Sequence, residues 1–79
     1  VATSLHGDAE VLEFAVADGC RCDGRLIADL GLHEDVIIAA IVRDGKPQIG
    51  RGRSTLRARD HVIAVTRPES APLLSSLFE

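Results

Sequence analysis

Val36-Ile37-Ile38-Ala39-Ala40-Ile41-Val42-Arg43-Asp44-Gly45-Lys46-Pro47-Gln48-Ile49 is the stretch that decides the fold of this chain. Its first half is an unbroken apolar, mostly β-branched run, far short of the ~20 residues a membrane helix needs. Such a run reads as a buried strand. Asp44-Gly45 ends it with two residues that tolerate positive φ, the composition of a tight hairpin. Lys46 to Ile49 then returns as a short strand, and Pro47 suits an edge or a strand start. A Gly-rich loop follows, Gly50-Arg51-Gly52-Arg53-Ser54-Thr55-Leu56, then Asp60 and a second apolar strand, Val62-Ile63-Ala64-Val65. This order points to a small sheet domain that binds or assembles, with no catalytic chemistry.

Working outward, residues 1–8 are expected to be a flexible lead-in and residues 9–79 the folded domain. Leu12, Phe14 and Val16 alternate with Glu13 and Ala15, which predicts a strand with one buried face. Asp23 is placed to cap a short helix over Gly24–Leu30 that buries Leu26, Ile27 and Leu30, with Gly31 as its left-handed C-cap. Pro68 stops the last strand, and Glu69 to Phe78 reads as a helix with Leu73, Leu74, Leu77 and Phe78 on one side. Ser70 is its expected cap, with Pro72 in the first turn. The predicted fold is α+β: a small two-layer domain in β-α-β-β-β-α order, a mainly antiparallel sheet with helices on one side.

Seventy-nine residues make one domain near the lower limit for a self-sufficient core. Phe14 and Phe78 are the only aromatic residues, so the core is built from small branched side chains. At about 25 cal/mol per Å² of buried apolar surface, such a core leaves a thin margin over chain entropy. Burial against a partner offsets this, and a homodimer or a covalent parent chain is expected. The net charge of −3 argues against nucleic acid as the main partner, because phosphate binding wants a basic face. Val1 to Gly7 lacks the basic head and apolar centre of a signal peptide. A start at Val leads to the expectation of a piece of a longer protein. Cys20 and Cys22, spaced C-x-C, are not expected to bridge each other easily and do not make a disulfide framework, which fits a reducing cytoplasm.

Three blocks of the chain, taken in order, resemble the C-terminal domain of RCK/TrkA-type regulators of potassium transport (TrkA-C). The first is Gly24-Arg25-Leu26-Ile27-Ala28-Asp29-Leu30-Gly31-Leu32, against the family's G-K-x-L-x-x-L-x-L. The second is Ile37-Ile38-Ala39-Ala40-Ile41-Val42-Arg43-Asp44-Gly45, against I-I-x-A-I-x-R-x-G. The third is Gly50 to Asp60, against P-x-G-D-T-x-L-x-x-G-D before a last apolar strand. Gly50 stands where the pattern has Pro, Arg53 where it has Asp, and Arg59 where it has Gly, so the loop over residues 50–59 is expected to be altered. The resemblance implies a dimer, a small regulatory ligand, no catalysis, and a parent chain or partner. It implies no certain cofactor; a cyclic dinucleotide or a divalent cation is the candidate. A cyclic dinucleotide would lie in a dimer groove beside Ile37-Ile38-Ala39, with Ile27 and Ile38 facing its bases and His33, Arg43 and Lys46 near its phosphates.

Other residue patterns are read more plainly. Cys20 and Cys22 with His6, His33 or His61 would make a soft-metal set, but paired C-x₂-C spacings are absent and ordinary half-buried thiols are the simpler reading. Gly50-x-Gly52 joins two strands with no third Gly, so it is a turn and not a dinucleotide fingerprint. Arg51, Arg53, Arg57 and Arg59 form a basic cluster that is read as a solvated loop. Asp60, before a buried strand, is expected to accept hydrogen bonds from loop amides or from Ser54 or Thr55. No nucleophile–base pair is visible, and the chain is not expected to be an enzyme.

The expected function is a cytoplasmic ligand-sensing and dimerisation domain of a potassium transport system. It would sit at the inner face of the membrane through its transporter, as a Trk-type uptake gating subunit or a potassium/proton antiporter tail. The alternative is a swapped-hairpin, DNA-binding antitoxin-like module, in which the four arginines would meet phosphates; the acidic balance stands against it.

Overall fold

A computed structural model describes residues 2–5 and 9–79. Five strands, β1 (Ala2–Leu5), β2 (Ala9–Ala15), β3 (Val36–Arg43), β4 (Lys46–Ile49) and β5 (His61–Thr66), form one sheet in the order β1-β2-β5-β3-β4. Every neighbouring pair is antiparallel. The α+β, two-layer expectation holds. Asp44 and Gly45 both adopt positive φ, 53° and 75°, so the β3–β4 turn forms as its residues dictate. Pro47 lies in β4, an edge strand.

The sheet has one covered face. Register and alternation place Leu12, Phe14, Val62, Ala64, Ile38 and Ile41 on it, and Cys22, Leu56, Leu74 and Phe78 close over them. Phe14 and Phe78 stack with ring centroids 4.7 Å apart, tying β2 to the C-terminal segment.

The spacing of Ile38 and Ile41, both buried, is impossible in a regular strand. Pairing with β5 shifts between Ile38 and Ala40, and Ala39 is the extra residue of a β-bulge. Before the bulge Val36 and Ile38 point inward; after it Ile41 and Arg43 do. Gly50 closes against this bulge: its N–H donates to the Ala39 carbonyl at 3.1 Å. A Cβ at position 50 would lie 2.2 Å from the Ile38 carbonyl oxygen. Glycine is required there by close approach, which accounts for the departure from Pro.

Several expectations are corrected. Residues 2–5, expected within a flexible lead-in, form β1 and pair with β2 from Ala2↔Leu12 to Leu5↔Ala9. The rest of that lead-in, Val1 and residues 6–8, lies outside the described residues. The helix over 24–30 is replaced by turns and a single 3-10 turn at Ile27–Asp29. Its amides are spent elsewhere: Gly24, Ile27 and Ala28 donate to the carbonyls of Leu56, Ser54 and Gly52. Gly31 does adopt φ 64°. The C-terminal helix is a 3-10 turn, Pro68–Ser70, and a short α1 (Ala71–Ser75), continued to Phe78 by tight turns; Ser70 makes no side-chain cap bond. β3 is buried on one face only, since Ile37 is 62 % exposed.

Arg59 carries φ 74°, a left-handed conformation at the position where the family pattern has Gly. Arg59→Gly therefore stabilises the domain by about 0.5–1 kcal/mol, seen as a higher urea midpoint. Gly50→Ala lowers the same midpoint by about 1–3 kcal/mol through overpacking against backbone.

Candidate functional site

The bulge at Ala39 turns Arg43 toward the covered face, and antiparallel pairing brings the end of β3 beside the start of β5. Arg43 meets Asp60 there in a bidentate pair, Nε to Oδ1 at 2.9 Å and a terminal nitrogen to Oδ2 at 2.8 Å. The same guanidinium donates to the Thr55 carbonyl at 2.8 Å. The Arg57 N–H donates to Asp60 Oδ2 at 3.0 Å. Asp60 is 2 % exposed, and Val16 N–H donates to its carbonyl at 2.8 Å. The Arg43 hydrogen bonds, with the Arg57 amide, hold the Asp60 carboxyl below the usual carboxylate range against the opposing effect of burial. The expected loop-amide bond to Asp60 is present; its side-chain partner is Arg43, and neither Ser54 nor Thr55 offers it a hydroxyl. The antiparallel order of the two strands, with Arg at one end and Asp at the other, was the sequence signal for this pair.

The six candidate ligand residues are spread over the fold. Ile27 is half-buried in the 3-10 turn, packed against the core. His33 is exposed, and its Nδ1 accepts the Asp35 N–H at 3.2 Å. Ile38 is buried in the core. Ala39 is the bulge residue, and Arg43 is engaged with Asp60. Lys46 is exposed where β4 leaves the hairpin. Of the basic cluster, Arg51, Arg53, Arg57 and Arg59 all have exposed side chains.

Two recesses lie near these residues. A cavity of about 290 Å³ opens between the Leu30–His33 segment and α1, with Leu32, Val36, Leu73 and Leu77 among its walls and Arg21 and His33 beside them. A shallower recess of about 550 Å³ joins Leu26 and Ala28 to Arg51, Gly52 and Arg53. Both combine apolar walls with basic side chains. The first reaches only the lower end of the usual ligand-pocket range.

The opposite face of the sheet is largely aliphatic, with Glu13 and His61 at one end of it, and no element among the described residues covers it. Val11, Val65 and Ile37 align across three strands, as do Ile63, Ala40 and Ile49. Ile37 and Ile49 are 62 % and 68 % exposed. Neither the candidate residues nor the hairpin signal pointed to this face, because the apolar run of β3 looked buried on both sides.

The thiols take an unexpected arrangement. Cys20 to Asp23 is a turn closed by the Asp23 N–H on the Cys20 carbonyl at 3.1 Å, and the two Sγ atoms are 3.2 Å apart. No third His, Cys, Asp or Glu joins them in a metal-binding group among the described residues; His6 lies outside those residues. His61 Nδ1 sits 3.4 Å from Glu13. No helix among the described residues is long and apolar enough to cross a membrane.

Comparison with known proteins adds the following. The TrkA-C domain model matches residues 11–79. A Trk system potassium uptake protein TrkA homolog from Archaeoglobus fulgidus is 41% identical over 78 residues, covering 99% of this chain and 18% of that protein. A TrkA homolog 1 of the Trk system from Methanosarcina mazei is 32% identical over 73 residues, covering 92% of this chain and 18% of that protein. The chain thus spans less than a fifth of these relatives. A solved structure described as "Structure of RCK domain with cda" superposes with a TM-score of 0.76 at 19% identity, covering 87% of this chain and 97% of the other.

Because the Asp60 carboxyl is held low in the folded state, its contribution is full at neutral pH. It is lost as the pH falls below the ordinary carboxylate value of about 3.9 and through the lower folded one. Asp60→Asn leaves Arg43 without its counter-charge and costs about 3 kcal/mol at neutral pH. Urea midpoints measured from neutral pH into acid should show a shallower decline for the variant than for the parent.

Proposed function

The chain belongs to the TrkA-C domain family, of non-catalytic regulatory domains, and on that premise we propose that it is the ligand-sensing and dimerisation module of a potassium transport regulator. The parent would be a gating subunit of a Trk-type uptake channel or the tail of a potassium/proton antiporter. Its place would be the cytoplasmic side of the membrane, held there by the transporter in cis or in trans. The swapped-hairpin DNA-binding alternative is disfavoured by the match of residues 11–79 to the TrkA-C domain and by the net charge of −3.

The observation that carries the reading is the sheet itself, closed over on one face and bare on the other. A second copy laid on Val11, Ile37, Ile63 and Val65 would bury side chains that a core with two aromatic residues cannot spare to water. A ligand that favours one arrangement of the paired domains would bias the transporter by that preference alone. The ligand class we favour is a cyclic dinucleotide. Its bases suit the apolar cavity walls at Leu32, Val36 and Leu73, and its phosphates suit His33 and Arg21 there; Ile27, Ala39 and Lys46 do not line that cavity, and Lys46, at the far end of β3 from His33, would have to come from a second copy. Ile38, buried in the core, and Arg43, held by Asp60, stand outside such a site.

Sedimentation of the protein should give a dimer, and Ile37→Glu should shift it to monomer. A well-folded monomer at high concentration for the parent would defeat the pairing. Saturating cyclic dinucleotide should raise the melting temperature, by about 2.7 kcal/mol of added stability at a hundredfold excess over Kd. His33→Ala should reduce that shift. No shift with cyclic dinucleotides or divalent cations would defeat the sensing half.

A further inference from the structure

Independently of the transport reading, we infer that Cys20 and Cys22 are a reversible redox site: a thiol pair that a peroxide converts to an intrachain disulfide. The chain holds only these two cysteines, and the turn brings their Sγ atoms to 3.2 Å. A disulfide needs about 2.0 Å, so the sulfurs have roughly 1.2 Å left to close. The expectation that cysteines spaced C-x-C do not bridge easily is countered here by the turn at Cys20–Asp23, which folds the two residues toward each other.

The two thiols differ in a way that assigns their roles. Cys20 is partly exposed, whereas Cys22 is 0 % exposed within the core. Burial, with the Cys20 contact, pushes the Cys22 thiol up to about 12. Cys22 is thus protonated and shielded at neutral pH, and Cys20 is the sulfur a small oxidant meets first. The Cys20 thiolate attacks one oxygen of hydrogen peroxide and breaks the O–O bond. It becomes a sulfenic acid while the other oxygen leaves as hydroxide and takes up the former thiol proton as water. The Cys22 sulfur then attacks the Cys20 sulfur and breaks the S–O bond; hydroxide leaves and carries the Cys22 proton as a second water. Two thiols lose two electrons in total, and one peroxide becomes two waters. A dithiol reverses the change.

The position gives the bond a consequence. The Cys22 N–H donates to Leu77 and the Ala17 N–H to Phe78, while Asp23 Oδ1 accepts the Ala58 N–H and Oδ2 the Gly19 N–H. The thiol turn is thus fastened both to the C-terminal segment and to the loop that holds Asp60. A bridge across so few residues is strained, which makes it easily reduced and suits a reversible switch over a structural brace.

The test uses the full-length protein, reduced, exposed to hydrogen peroxide, then unfolded in iodoacetamide and cut after glutamate. The peptide from Phe14 to Glu34 contains both cysteines and no other. It should emerge unalkylated and lighter by two hydrogen atoms, and dithiothreitol before alkylation should restore the doubly alkylated form. Cys22→Ser should trap a dimedone-reactive sulfenic acid at Cys20, and Cys20→Ser should slow peroxide reaction at Cys22 by about tenfold or more. A doubly alkylated peptide from the peroxide-treated parent would overturn the inference without recourse to any variant. So would bridging only between chains, or a Cys20→Ser protein that reacts as fast as the parent.

Discussion

The bidentate contact between Arg43 and Asp60 is the constraint around which the domain is arranged. It joins the end of β3, the start of β5 and the loop at Thr55–Arg57 in one buried knot. Replacing both partners by apolar groups can leave stability nearly unchanged, but removing one strands a buried charge. The pair thus acts more on register than on net stability. With β3 slipped by one residue relative to β5, Arg43 would face the other side of the sheet and Asp60 would lose its counter-charge. The Ala39 bulge is what makes the alternation of β3 agree with that requirement, and Gly50 is the residue small enough to close against it.

What could be read beforehand was whatever depends on neighbours in sequence. Asp44-Gly45 specifies its turn by its own backbone preferences, and the strands at Val36 and Val62 follow from β-branched runs. The first two blocks at Gly24 and Ile37 and the third ending at Asp60 identify the family because their order and spacing survive three departures. The segment at Gly24–Leu30 has a helix-like sequence but spends its amides on carbonyls 24 to 32 residues away, a choice no local pattern records. Thr3 and Ser4 gave no apolar alternation, so β1 went unseen; its partner β2 supplies the reason it forms. Among the candidate ligand residues, Ile38 and Arg43 were placed toward a ligand by the family resemblance, whereas Ile38 is buried in the core and Arg43 is taken up by Asp60. A single inserted residue reversed the direction of Arg43.

The covered side of the sheet shows how little material suffices. One stacked pair, Phe14 and Phe78, bridges the sheet and the C-terminal segment, and the remaining contacts are aliphatic. Asp23 ties its own turn to the loop before β5 by accepting the amides of Gly19 and Ala58. Shape is held here by hydrogen-bonded loops as much as by bulk, and the absence of buried unpartnered side-chain polar atoms among the described residues is consistent with that.

Pro47 in β4 has a bearing on how copies of this domain meet. An edge strand with a full row of free amides invites another strand to zip onto it and so build an open-ended ribbon. Proline removes a donor from that row, and Lys46 beside it adds a charge that a growing ribbon would have to stack upon itself. Polymerisation along this rim is therefore discouraged, which leaves the broad aliphatic surface behind it as the more favourable place for molecules to touch.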